Sequence, residues 1–163
     1  MTRVKVCGVT TVEDAVMCAD EGVDAIGVNL VEGSPRRVSE DVARAIADAV
    51  RARLLVVGIV ADRSVDEMRA LRDRLGLGCL QLHGDEPPEA LAPLLPHAYK
   101  AIRVATEADV ASAGAFGGEH LLVDARVPGA LGGTGTSFDS TLVAGLARRR
   151  KLTLAGGIRP ENV

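Results

Sequence analysis

No apolar run in this chain approaches the length needed to span a bilayer, and its amino terminus carries neither the basic segment nor the apolar stretch of an export signal. The expectation is a cytoplasmic protein without a membrane partner. Lys and Arg, 19 against 22 Asp and Glu, nowhere gather into a nucleic-acid footprint. Arg148-Arg149-Arg150 is short and falls where a helix would end, a position where cations complement the helix dipole. Nucleic acid is therefore excluded as a partner. Cysteine is sparse: Cys7, Cys18 and Cys79 form no CxxC pair and no metal-ligand spacing. Reduced thiols are expected, with neither a disulfide nor a metal.

What is present is apolar material, 47% of 163 residues, enough for one globular domain with a sizeable core. Val4-Lys5-Val6-Cys7 reads as a short buried strand that breaks at Gly8, and Thr10 with Glu13 has the capping-box spacing that opens a helix with Ala15, Val16 and Ala19 on its apolar face. The same unit then recurs. Strand 25–30 is followed by a helix capped by Ser39, with Val42, Ile46, Ala49 and Val50 as its buried stripe. Strand 54–60 leads to a second capping box, Ser64 to Glu67, and a helix through Met68, Leu71 and Leu75. Strand 77–82 leads to a helix from about Asp85 with Pro87 in its first turn. Strand 99–104, a helix from Thr106, strand 120–124, a glycine-rich loop, a helix over about 138–149 and strand 152–155 complete the pattern.

Strands without polar alternation, each followed by a helix, indicate parallel βαβ units covered on both faces. An open doubly wound sheet and a (β/α)8 barrel both fit. No strand is followed by GxGxxG, and the phosphate-binding candidates lie late in the chain, where a barrel carries its phosphate site; that favours the barrel. Residues 1–163 are thus expected to form a single (β/α)8-type domain, truncated after strand seven and lacking the last helix-strand-helix.

In such folds chemistry sits at the carboxyl ends of the strands. Cys7 ends the first strand, as a base, a nucleophile or simply a small hydrophobe. Asp124 ends the sixth, as an acid/base partner for that thiol or a turn cap. Arg36 and Arg37 follow strand two, where one of them clamps a carboxylate or phosphate or both are solvated loop charges. His83 ends strand four, orienting substrate or making a structural hydrogen bond. Gly133 and Gly135 in the glycine-rich loop, with Gly156 and Gly157 after strand seven, offer backbone N–H groups to a phosphate, the bland alternative being flexibility.

Together these stretches resemble the phosphoribosylanthranilate isomerase family. The likeness rests on Lys5-Val6-Cys7-Gly8-Val9-Thr10, Gly33-Ser34-Pro35-Arg36, Gln81-Leu82-His83-Gly84-Asp85-Glu86, Leu122-Val123-Asp124, Gly132-Gly133-Thr134-Gly135 with Phe138-Asp139, and Ala155-Gly156-Gly157-Ile158 with Pro160-Glu161-Asn162-Val163. The resemblance implies a (β/α)8 barrel that catalyses an Amadori rearrangement in tryptophan biosynthesis, on a small phosphorylated substrate, without a metal or cofactor, as a monomer or homodimer. It implies Asp124 as general acid, Cys7 as general base and Arg36 on the carboxylate side of the anthranilate ring. Asn29, Arg37 and Ser140 depart from the family's more apolar residues and are expected to loosen packing near the mouth. The family's eighth strand has no counterpart here, which leaves a second expectation: an inactive barrel fragment that binds phosphate or associates with itself through open sheet edges.

Overall fold

A computed structural model describes residues 2–125 and 143–158. The chain divides into two compact units, residues 1–98 and 99–163. In the first unit β1 (Lys5–Cys7), α1 (Val12–Asp20), β2 (Ala25–Asn29), α2 (Glu40–Val50), β3 (Leu55–Val60), α3 (Val65–Leu75), β4 (Cys79–Leu82) and α4 (Pro88–Leu91) alternate, followed by a 3-10 turn at Ala92–Leu94. The second holds β5 (Ala98–Val104), α5 (Glu107–Ser112), a 3-10 turn, β6 (His120–Ala125), α6 (Ala144–Ala147) and β7 (Lys151–Ala155).

Every strand pair within each unit is parallel and follows chain order. Cys7 stands beside Gly27, Asn29 beside Ile59, and Val60 beside Leu82. In the second unit Arg103 stands beside Asp124 and Asp124 beside Ala155. Parallel pairing in this order brings the carboxyl ends of neighbouring strands to one edge, where the βα loops leave. The cores are aliphatic. Ile26, Val28, Val56, Leu80 and Leu82 are buried from the strands, with Ile46, Met68, Leu71 and Leu91 from the helices. Ile102, Val104, Leu121, Val123 and Leu146 form the cluster of the second unit.

Helix starts obey local chemistry. Ser39 accepts from Val42 N, Thr106 and Asp109 form a reciprocal box, and so do Ser64 and Glu67. Gly76 closes α3 in the left-handed region at φ 66°, where its amide returns to Arg72 and Asp73. Four expectations shift. The cap of α1 is Thr11, not Thr10, with its hydroxyl accepting from Asp14 N at 3.1 Å. The buried stripe of α2 is Ala43, Ile46, Ala47 and Val50, the i, i+3, i+4, i+7 set, which turns Val42 and Ala49 outward. The helix expected near Asp85 begins at Pro88 with Pro87 as its cap, since Asp85 is held in the preceding loop. And β1 is not buried: Val4 is 54% and Val6 37% exposed, because among the described residues β1 pairs only with β2.

The capping box yields two expectations. Ser64→Ala removes the acceptor for Glu67 N and is expected to cost about 1 kcal/mol, read as a lower urea midpoint at unchanged m-value. Hydrogen bonds from Ser64 lower the Glu67 carboxyl below its usual value of 4.5, so its contribution is present above that value and disappears as pH falls through the lower folded one. The difference in melting temperature between wild type and Glu67→Gln is expected to be largest near neutrality and to vanish in acid.

Candidate active site

Cys7 is the last residue of β1, and the chain turns immediately at Gly8, φ 84°, a left-handed backbone that glycine adopts without strain. Gly8 N and Val9 N both donate to Gly27 O, at 2.9 and 3.1 Å, fastening the turn to β2. A Cβ at Gly8 would lie 2.8 Å from Cδ and Nη1 of Arg36. Arg36 therefore lies directly over the glycine, with Nη1 donating to the Cys7 carbonyl at 3.4 Å. The structure thus brings Cys7, at the end of β1, together with Arg36 from the loop after β2.

The loop that delivers Arg36 is tied down by Asn29. Its Oδ1 accepts from Val31 N at 2.9 Å, its Nδ2 donates to Ser34 Oγ at 3.0 Å, and Ser34 Oγ also accepts from Arg36 N. The departure at Asn29 therefore fastens this loop where looser packing was expected. Arg37 is a surface residue, 3.8 Å from Glu32, and it is Arg36 that reaches the strand end. Ser140, Gly133 and Gly135 lie outside the described residues.

Only one of the three thiols suits proton transfer. Cys18 is buried on α1. Burial pushes the Cys79 thiol up to about 11, only partly offset by a hydrogen bond with the Leu80 backbone and by the charges of Lys5 and Arg72, so it stays protonated near neutrality. Cys7 is exposed at its strand end.

Two residues beneath the strand ends were not singled out from the sequence. Lys5, two residues before Cys7 on the same strand face, sends its ammonium to Gln81 Oε1 at 2.5 Å. Gln81 is 2% exposed, and its Nε2 lies 2.7 Å from Nδ1 of His83, which follows β4. Burial lowers the Lys5 pKa from 10.5, while Cys7 and Cys79 act in the opposite direction. Both Lys5 Cε and Cys7 Sγ are 3.2 Å from where a Cβ on Gly27 would sit, so the pair shares the space over that glycine.

A clasp of carboxylates shapes the turn after His83. Glu86, 5% exposed, accepts from Asp62 N at 2.9 Å and Gly84 N at 3.3 Å, while Asp62 Oδ1 accepts from Asp85 N at 2.7 Å. Asp62 holds a positive φ of 52°, and a Cβ on Gly84 would fall 2.3 Å from its Oδ1. The Gly-Asp-Glu part of the fourth-strand motif is accounted for by this clasp.

In the second unit Asp124 lies one residue from the carboxyl end of β6, half-buried between its register partners Arg103 and Ala155. Gly156 and Gly157 follow β7 at φ 85° and 66°, a left-handed pair that turns backbone amides out of the strand line. Among the described residues no group of three His, Cys, Asp or Glu side chains forms a metal-binding cluster, and no helix is long and apolar enough to cross a membrane.

Parallel βα units with a thiol, a guanidinium and an imidazole at the strand carboxyl ends of one unit, and a carboxylate and paired glycines at those of the other, define an α/β protein of the (β/α)8-barrel class. Known proteins narrow this further. A family model described as N-(5'phosphoribosyl)anthranilate (PRA) isomerase matches residues 4–163. The chain is 42% identical to the N-(5'-phosphoribosyl)anthranilate isomerase of Myxococcus xanthus, over 99% of its own length and 78% of the relative's. It is similar to the crystal structure of the Thermotoga maritima enzyme at a TM-score of 0.89 and 32% identity, covering 100% of this chain and 80% of that one. A further solved phosphoribosyl anthranilate isomerase, in complex with reduced 1-(o-carboxyphenylamino)-1-deoxyribulose 5-phosphate, matches at a TM-score of 0.84 and 30% identity, covering 99% and 79%. The chain belongs to the N-(5'-phosphoribosyl)anthranilate isomerase family.

Gly8→Ala tests the turn that places Arg36. A Cβ in the left-handed region costs about 1–2 kcal/mol, and the flexible Arg36 side chain must move aside to admit it. A lower urea midpoint is expected together with a raised KM for the family's substrate.

Proposed function

We propose that this chain catalyses the Amadori rearrangement of N-(5-phosphoribosyl)anthranilate to 1-(2-carboxyphenylamino)-1-deoxyribulose 5-phosphate, a step of tryptophan biosynthesis. The observation that carries the reading is the family match over residues 4–163 in a chain whose single exposed thiol ends the first strand. The reading takes residues 1–163 as one (β/α)8-type domain at work in the cytoplasm, as a monomer or homodimer.

Asp124 is the general acid. It protonates the furanose ring oxygen, the C1′–O bond breaks, and the nitrogen lone pair forms the C1′=N Schiff base. Cys7 is the general base. Its thiolate takes the C2′ proton, the electrons of that bond form the C1′=C2′ double bond while the C1′=N π pair returns to nitrogen, and the resulting enaminol becomes the ketone as C1′ gains a proton and the C2′ hydroxyl gives one up. Atoms balance without an oxidant, as in any aldose–ketose isomerisation, and the acid and base roles ask for a carboxyl that holds its proton and a thiol that gives one up. Arg36 holds the carboxylate side of the anthranilate ring with a planar guanidinium suited to such groups. His83 binds substrate, and Gly133, Gly135, Gly156 and Gly157 present amides to the phosphate.

The test is the loss of substrate fluorescence with the purified chain, with circular dichroism as a check on folding. General acid or base removal characteristically costs 10²–10⁴-fold, so Cys7→Ala and Asp124→Asn are each expected to lower kcat by about that much. A folded wild-type chain without turnover that binds inorganic phosphate and self-associates would sink this reading in favour of a non-catalytic binding module.

A further inference from the structure

The two hydrogen bonds that join Lys5, Gln81 and His83 below the strand ends of the first unit run in the same direction. A lysine ammonium donates and has no lone pair to accept with. The Gln81 amide therefore turns its oxygen, not its NH2, toward Lys5, as the 2.5 Å contact to Oε1 records. With the oxygen committed, the atom that faces the imidazole is Nε2, which can only donate, and Nδ1 of His83 at 2.7 Å must accept. An imidazole that accepts at Nδ1 carries its proton on Nε2. Gln81 is buried and cannot exchange these partners for water, so reversing the amide would set NH2 against ammonium and leave two donors face to face.

We infer that Lys5 and Gln81 are positioning residues that lock His83 in the tautomer with its proton on Nε2, so that His83 meets the substrate as a hydrogen-bond donor and recognises an oxygen acceptor on it. The inference rests on the proposed substrate-binding role of His83 and specifies its chemistry. An acceptor-rich sugar phosphate fits such a donor; an analogue that offers an N–H or O–H donor at the same place does not. The lock also links the site's two strands, since Lys5 shares its face with Cys7: one side chain of β1 supplies the thiol and another fixes the imidazole at the end of β4.

The experiment is 15N NMR of the histidine imidazoles in the full chain, with His83 assigned by the signal lost in His83→Gln. Wild type is expected to show an unprotonated Nδ1 and a protonated Nε2. Lys5→Arg, still a donor only, is expected to keep that pattern, and Lys5→Met to give a mixture. Gln81→Glu is the decisive near-isostere, because a carboxylate cannot donate and draws the proton to Nδ1; KM is expected to rise about tenfold, the size of one lost hydrogen bond, with a smaller change in kcat. A protonated Nδ1 in wild type, or an Nδ1 left bare in Gln81→Glu, overturns the lock. A lock that behaves as expected with a KM indifferent to His83→Gln upholds the positioning chain and overturns the donor role, and neither result bears on Cys7 as the base.

Discussion

The room left over Gly27 governs how the first unit presents its chemistry. Ile59 Cδ1 already stands 2.9 Å from where a Cβ would be, and the Lys5 and Cys7 side chains lie 3.2 Å from the same point. A methyl group there would push against a packed aliphatic on one side and against both polar side chains of β1 on the other, in a core where such neighbours yield little. The empty position of β2 lets a thiol and an ammonium lie together on one face of the sheet. From Lys5 the order propagates to Gln81 and His83, and from the turn at Gly8 it propagates to Arg36.

The side chains at the strand ends thus reach their places by two different means. Cys7 is set by backbone, through a left-handed glycine and paired amides on Gly27 O, whereas the loop that carries Arg36 is fastened by the side chains of Asn29 and Ser34. His83 is set by side chains, through a buried amide and the carboxylate clasp that follows it. Backbone placement tolerates exchange of surrounding side chains, while placement through buried polar groups fails whenever one partner is lost.

Local signals in the sequence were legible because they act within a few residues. Ser39, Ser64 and Thr106 cap the helices expected of them, and the strands fall within two residues of their expected bounds. Thr10 and Thr11 were indistinguishable by type, and only the backbone geometry assigns the cap to the second. The α2 stripe was misplaced because alanines fill several faces of that helix, and which face is buried depends on what packs against it. Cys7, Arg36 and His83 were readable as strand-end or loop residues. Lys5 and Gln81 were not, since a lysine beside a buried glutamine becomes informative only after parallel pairing brings positions 76 residues apart together.

The carboxylate clasp has a consequence for how this face of the fold can change. Because Glu86 grips Asp62 N as well as its own turn, and Asp62 in turn holds Asp85 N against a glycine that admits no side chain, the loops after β3 and β4 form one mechanical piece. Shortening, lengthening or grafting either loop alone would strand a buried carboxylate. Diversity at this edge is therefore accessible by exchanging both loops as a cassette, and the freedom to vary one at a time belongs to loops that carry no such fastening.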